Sequence, residues 1–206
     1  MNHSDTQNVI VDAAQSMIDA GRLFHSRGWV AATGGNFSVR LEDRLLITAS
    51  GGHKGELTPQ DFLIADLDGR PVDSARKASY ETGLHVQLYR HDPTIRCVLH
   101  THSIANTVLS RRLPSVTLEG YELLKILPGI RTHQVRVEIP VFENDQDIAR
   151  LAATVDQRLK QTPAPASLIA GHGLYAWGDS VAQARHRVEA LEFMFEYALR
   201  ELEMTR

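Results

Sequence analysis

Apolar positions recur at helical spacing at both ends of the chain and at strand spacing between them. Val9, Ile10, Ala13, Met17, Ala20 and Phe24 share one face of a helix predicted over 8–25, with Ser4 or Asp5 as its cap. Val181, Ala184, Val188, Leu191, Phe195 and Ala198 mark a longer helix that starts from a cap at Asp179 and runs to about residue 203. Phe193, Met194 and Tyr197 lie partly off that stripe, which fits a subunit contact as well as a wide core face.

Between these helices, 37–40 and 44–48 read as two strands joined by a tight turn at Glu42-Asp43. Glycine-rich turns flank the pair: Thr33-Gly34-Gly35-Asn36 before it and Ser50-Gly51-Gly52 after it. Thr58, Pro59 and Asp61 carry the signature of a short helix start, with Thr58 as N-cap. Strands follow over 62–67 and 95–100, with a helix over 81–90 that ends before Asp92-Pro93. A helix over 104–111 is capped by Ser103, and 135–142 is a strand whose Pro140 suggests an edge or a bulge. The remaining elements are a helix over 147–160 and short strands at 167–170 and 174–177 around Gly171-His172-Gly173. Strands and helices mix without regular alternation, which favours an α/β layered sheet over a dinucleotide-binding array.

Composition narrows the class. The 206 residues are 43% hydrophobic, with no repeat and no linker, so one domain over 1–206 is expected. A net charge of -3 without a Lys/Arg block argues against nucleic acid and anionic membrane as partners. No apolar run is long enough to span a bilayer, and Met1 to Gln7 lacks the architecture of a signal. With Cys97 as the single cysteine, the expected compartment is the reducing cytoplasm.

The strongest chemical signal is Val98-Leu99-His100-Thr101-His102. Alternate residues of a strand share a face, so two imidazoles here can converge on one ion. The same spacing also fits an incidental strand end. His172, between two glycines at the end of an apolar strand, adds a third imidazole, and three with an open position is a catalytic zinc pattern. The other histidines (His3, His25, His53, His85, His91, His133 and His186) read as surface or packing residues, with His53 and His133 the least settled. The two glycine turns offer backbone N–H groups and hydroxyls beside Lys54, which a phosphate can use, although such turns between strands are usually just turns. Cys97, Tyr175 and Trp177 read as packing residues.

Together, Gly34-Gly35-Asn36-Phe37-Ser38, Ile47-Thr48-Ala49-Ser50-Gly51, Ser79-Tyr80-Glu81, His100-Thr101-His102 and Gly171 to Gly178 resemble the class II aldolase superfamily, in its order and over nearly the whole chain. The resemblance implies a three-layer α/β/α fold around a mainly antiparallel sheet. It also implies one divalent metal per subunit, usually zinc, and a homotetramer with sites between subunits. By the same resemblance His100, His102 and His172 are the metal ligands, and Asn36, Ser50, Gly51 and Ser79 are phosphate-binding positions. Tyr80 departs from the pattern, since many members carry a second serine there; Lys54 is a candidate to compensate.

Within the family, Thr117 to Lys125 and Pro140-Val141-Phe142-Glu143-Asn144 resemble the branch that dehydrates methylthioribulose 1-phosphate. On that resemblance Glu122 matches the dehydratase acid/base, with Glu119 a nearby competitor. Glu81 matches the acid/base of the sugar-phosphate aldolases. From the residues alone, Glu122 is a solvated helix residue and Glu81 a favourable charge at a helix start. The expected activity is a hydro-lyase acting on that sugar phosphate. The alternatives are an aldolase or 4-epimerase acting on fuculose 1-phosphate or ribulose 5-phosphate, and a metal-free binding module of the same fold.

Overall fold

The structure, a computed structural model, describes residues 3–72 and 75–204, with side chains from residue 7. It opens with α1 (His3–Ser26), which buries Met17, Ala20 and Phe24 completely. Val9 is instead half exposed, and Ser4 and Asp5 lie inside the helix rather than at a cap. β1 (Asn36–Leu41) and β2 (Arg44–Thr48) form the expected hairpin, with Leu41 opposite Arg44 and Glu42 at positive φ in the two-residue turn. The box at Thr58 and Asp61 closes as expected and leads into β3 (Phe62–Asp66).

The next elements are α2 (Thr82–His91), β4 (Cys97–Thr101), α3 (Ile104–Arg112, capped by Ser103), β5 (Ser115–Glu119) and β6 (Arg136–Phe142). The chain continues with α4 (Ile148–Gln161, capped by Asp147), β7 (Ala166–Ile169), β8 (Gly173–Gly178) and α5 (Val181–Met204). The side-chain cap of α5 is Ser180, whose Oγ accepts from the Gln183 amide, one residue beyond the expected Asp179.

Among the described residues, eight strands join one sheet in the order β3-β2-β1-β4-β8-β7-β6-β5. The sheet is mixed and largely antiparallel, because β6 and β7 run parallel while the other pairings are antiparallel. Strand alternation sends neighbouring residues to opposite faces. Leu46, Cys97, Leu99, Leu174 and Ala176 join an apolar cluster with α1, α3 and α5. Leu45, Ile47, Val98, Tyr175 and Trp177 join a second cluster with α2 and α4. β4 lies near the middle of the sheet and is buried along its whole length.

Two expectations change. β5 was not foreseen, although its alternation of buried Val116 and Leu118 with less buried neighbours is a strand pattern. With β5 outermost, β6 is not an edge strand. Pro140 is tolerated because it stands opposite Ser115 at the end of the β5 pairing, just before the β7 pairing begins at Val141. On α5, Met194 is fully buried, whereas Phe193 and Tyr197 are half exposed and form an aromatic surface patch with Tyr121.

Candidate metal centre and active site

β4 carries His100 inside the sheet and releases the chain so that His102 follows just beyond its end. The His102 amide donates to the Trp29 carbonyl at 2.7 Å, which fixes the exit. His172 arrives from the other side, in the turn between β7 and β8, after Gly171 at positive φ. Gly173 must be glycine, since a Cβ there would lie 2.2 Å from the Thr101 carbonyl oxygen and 2.8 Å from His100 Cε1. Gly35 is under a similar constraint, with a Cβ falling 2.5 Å from the His100 carbonyl.

The three rings meet through Nε2. His102 and His100 are 2.7 Å apart at these atoms, and His100 and His172 are 3.3 Å apart. Glu81, the N-cap of α2, completes the group: Oε2 is 3.3 Å from His100 Nε2 and Oε1 is 3.1 Å from His172 Nε2. One ligand atom from each of the four residues lies within 4.8 Å of all the others. His100 Nδ1–H donates to the Leu174 carbonyl at 2.9 Å, which leaves Nε2 bare and facing the group. Burial holds the pKa of His100 well below the usual range, with His102 and His172 adding to the effect. Burial also pushes His102 down to about 4. Three imidazoles whose Nε2 atoms converge next to a carboxylate form a donor set for a divalent cation.

A cavity of about 440 Å³ opens beside the cluster. It is lined by Asn36, Ser50, Gly51, Lys54, Ser79, Glu81, His102 and His172, so most of the residues singled out in the sequence meet there. Lys54 is buried, and its Nζ donates to the carbonyls of Thr33 and Gly52 at 3.0 and 2.6 Å. Burial lowers its pKa to about 8, partly offset by Asp61 and Glu81. The segment Asn144-Asp145-Gln146 and Ile148 also line the cavity, and the Tyr80 hydroxyl donates to the Gln146 carbonyl at 2.5 Å.

Glu122 lies elsewhere. It begins a short 3-10 turn (Glu122–Ile126), is largely exposed, and pairs with Lys125 at 2.5 Å and His133 at 3.3 Å. It does not line its own chain's cavity. Glu119 is exposed at the end of β5. Cys97 is fully buried and its thiol is pushed up by burial, as expected of a packing residue.

Two buried groups escaped the sequence reading. His85 is not a simple packing residue, because both its ring nitrogens are hydrogen-bonded, to Ser38 and to Asn36. Its position four residues after Glu81 on one helix was the available signal. Glu192, on α5, accepts from Thr101 Oγ1 at 2.8 Å and Asn106 Nδ2 at 2.9 Å, and so braces the residue between His100 and His102. Burial raises its pKa to about 7, against the pull of the hydrogen bonds it accepts.

Residues 15–199 match the family described as class II aldolase and adducin N-terminal domain. The chain belongs to this family. Among class II aldolase relatives, a methylthioribulose-1-phosphate dehydratase of Methylococcus capsulatus is 52% identical over 190 residues, covering 91% of this chain and 93% of that protein. The protein of the same name from Pseudomonas aeruginosa (strain LESB58) is 50% identical, covering 93% and 96%. The crystal structure of an L-fuculose-1-phosphate aldolase from Thermus thermophilus shares the class II aldolase fold at a TM-score of 0.78 and 27% identity, covering 94% of this chain and 95% of its own. No helix among the described residues is long and apolar enough to cross a membrane.

Proposed function

We propose that this chain dehydrates 5-methylthioribulose 1-phosphate to 2,3-diketo-5-methylthiopentyl 1-phosphate, a step of methionine salvage, with zinc held by His100, His102 and His172. The observation that carries the proposal is identity of 50–52%, over more than nine-tenths of both chains, to proteins named for that activity. Three imidazoles with Nε2 atoms converging beside a carboxylate support zinc. When bound, such an ion supplies Lewis acidity at the substrate's C2 carbonyl and so eases loss of the C3 proton.

The chain's own groups do the rest. Lys54 uses two N–H groups on backbone carbonyls and offers the third to the phosphate, together with Ser50, Gly51, Ser79 and Asn36. A glutamate removes the proton from C3. The C4 hydroxyl leaves as water with a proton returned by the same or a second acid, and the enol relaxes to the diketone. Glu81 is the carboxylate at the cluster in the same chain. Glu122 enters through a neighbouring subunit, consistent with a homotetramer whose sites lie between subunits; the exposed aromatic patch near it supports a subunit contact. The proposal takes residues 1–206 as one cytoplasmic, three-layer α/β/α domain, a layering supported by the apolar clusters on the two sheet faces.

A second reading, aldol cleavage of a sugar phosphate with Glu81 as acid/base, is favoured by the place of Glu81 against His100 and His172. The test is turnover by zinc-reconstituted protein of methylthioribulose 1-phosphate beside fuculose 1-phosphate and ribulose 5-phosphate. Diketone from the thioether sugar alone is the expected result. Cleavage or epimerisation of the others without diketone would overturn the proposal in favour of the second reading.

A further inference from the structure

From Glu81 and Asn36 at the cavity wall, polar side chains of β1 and α2 form an unbroken row that runs into the protein interior. Asn36 Nδ2 donates to Glu81 Oε2 at 2.6 Å. Asn36 Oδ1 bonds His85 Nε2. His85 Nδ1 and Tyr89 OH each lie 2.7 Å from Ser38 Oγ. Ser38 and His85 are fully buried, Asn36 and Tyr89 nearly so. The row follows from two periodicities: Asn36 and Ser38 share a face of β1, while Glu81, His85 and Tyr89 repeat every fourth residue along α2.

The direction of every bond follows from one end. A carboxylate only accepts, so Asn36 must turn its NH2 to Glu81. That leaves Asn36 Oδ1 as an acceptor, and its partner is His85 Nε2, which must carry the proton. Burial lowers the His85 pKa to about 3, so the ring is neutral and Nδ1 is bare. Ser38 therefore donates its hydroxyl proton to Nδ1, and its oxygen accepts from Tyr89. Each proton points towards Glu81. A reversed Asn36 would set its carbonyl against the carboxylate and its NH2 against the His85 N–H, leaving buried groups unsatisfied at about 1–3 kcal/mol each.

We propose that Ser38 and His85 are positioning residues that lock the Asn36 amide, and through it the Glu81 carboxylate, in a single orientation with Oε2 tied back and Oε1 towards His172. This rests on the reading of Glu81 as part of the reacting site. The Asn36 oxygen requires the proton on His85 Nε2, and Ser38 holds that tautomer in place by donating to the bare Nδ1. Tyr89 only satisfies the Ser38 oxygen and is not needed for the lock.

Long-range proton–nitrogen NMR of the 15N-labelled full chain, zinc-loaded and metal-free, reads the tautomer directly. The expected result is a neutral His85 protonated at Nε2 in both states at neutral pH. Ser38→Ala should mix the tautomers and lower kcat about 10-fold, within the range of outer-shell partners, with KM little changed. Tyr89→Phe should leave the tautomer intact and change kcat less than about threefold, although it too removes one buried oxygen. A merely structural role would move both variants alike. An Nδ1–H tautomer in the wild type, an unmixed tautomer in Ser38→Ala, or equal effects of the two variants would overturn the relay. The tautomer is read without substrate, so a protein that makes no diketone but shows the expected tautomers would sink the dehydratase reading and leave the relay standing.

Discussion

Glu81 and Glu122 both stand at the start of a helical turn, and their surroundings have little else in common. Glu81 is 13% exposed, takes a hydrogen bond from Asn36, and touches two imidazoles. Glu122 is 68% exposed and pairs with Lys125 and His133 at the surface. Its carboxyl is held below the usual range by the hydrogen bond from Lys125. A carboxylate in a buried, directed network is preorganised before any ligand arrives. An exposed one is screened by solvent and gains a role only when another surface closes over it. A glutamate's chemical competence therefore depends on its neighbours, and the two sites fail in different ways when altered.

Removing an imidazole should have the largest effect. His172→Ala should lose most of its zinc and lower turnover about 10³-fold or more, which metal analysis and steady-state rates check together. Next come the two glutamates themselves. Glu122→Gln should keep its zinc and lose on the order of 10²-fold in kcat, whereas Glu81→Gln should lose zinc affinity as well as rate. Full activity in Glu122→Gln, with Glu81→Gln dead, would instead favour the aldolase-type chemistry.

Glu192 extends the comparison to a glutamate that is buried but away from the cavity. Its pKa is raised on folding from 4.5 to about 7. Such a carboxyl supports the folded state fully below its ordinary value, and that support is lost as pH climbs through about 7. Glu192→Gln should therefore be the more stable protein at pH 8, by up to about 3 kcal/mol, with the gain vanishing towards pH 4 in denaturant melts. A smaller effect belongs to Lys54. With its pKa near 8, KM for the phosphorylated substrate should rise as pH climbs through 8. Lys54→Met should show a KM raised about 10-fold and flat across that range. Smallest of all, Tyr80→Ser removes one exposed hydrogen bond, and its melting should change by less than about 1 kcal/mol.

Much of this was legible from local pattern. His100 and His102 announced themselves because strand period 2 places them together at the end of an apolar run, and Gly173 signalled the close approach of His172. The hairpin and the Thr58 cap carried their own turn chemistry. β5 was not legible because its five residues hold only two apolar positions, Val116 and Leu118, too few for an alternation to stand out. The partnership of Asn36 with His85 joins residues 49 apart, and the bracing of Thr101 by Glu192 joins residues 91 apart. Each pairing joins two separate elements, so a local period can place a residue on a face but does not reveal its partner. The place of Glu122 outside its own chain's cavity is likewise a fact of tertiary arrangement.

Dehydration and aldol cleavage part at a single bond. Dehydration removes the hydrogen at C3 of the sugar, whereas cleavage between C3 and C4 keeps it in the three-carbon product. The most direct test is therefore methylthioribulose 1-phosphate carrying deuterium at C3, turned over by the zinc-loaded protein. Loss of the label to solvent in step with diketone formation is the predicted result. A three-carbon phosphate that retains the deuterium would contradict it.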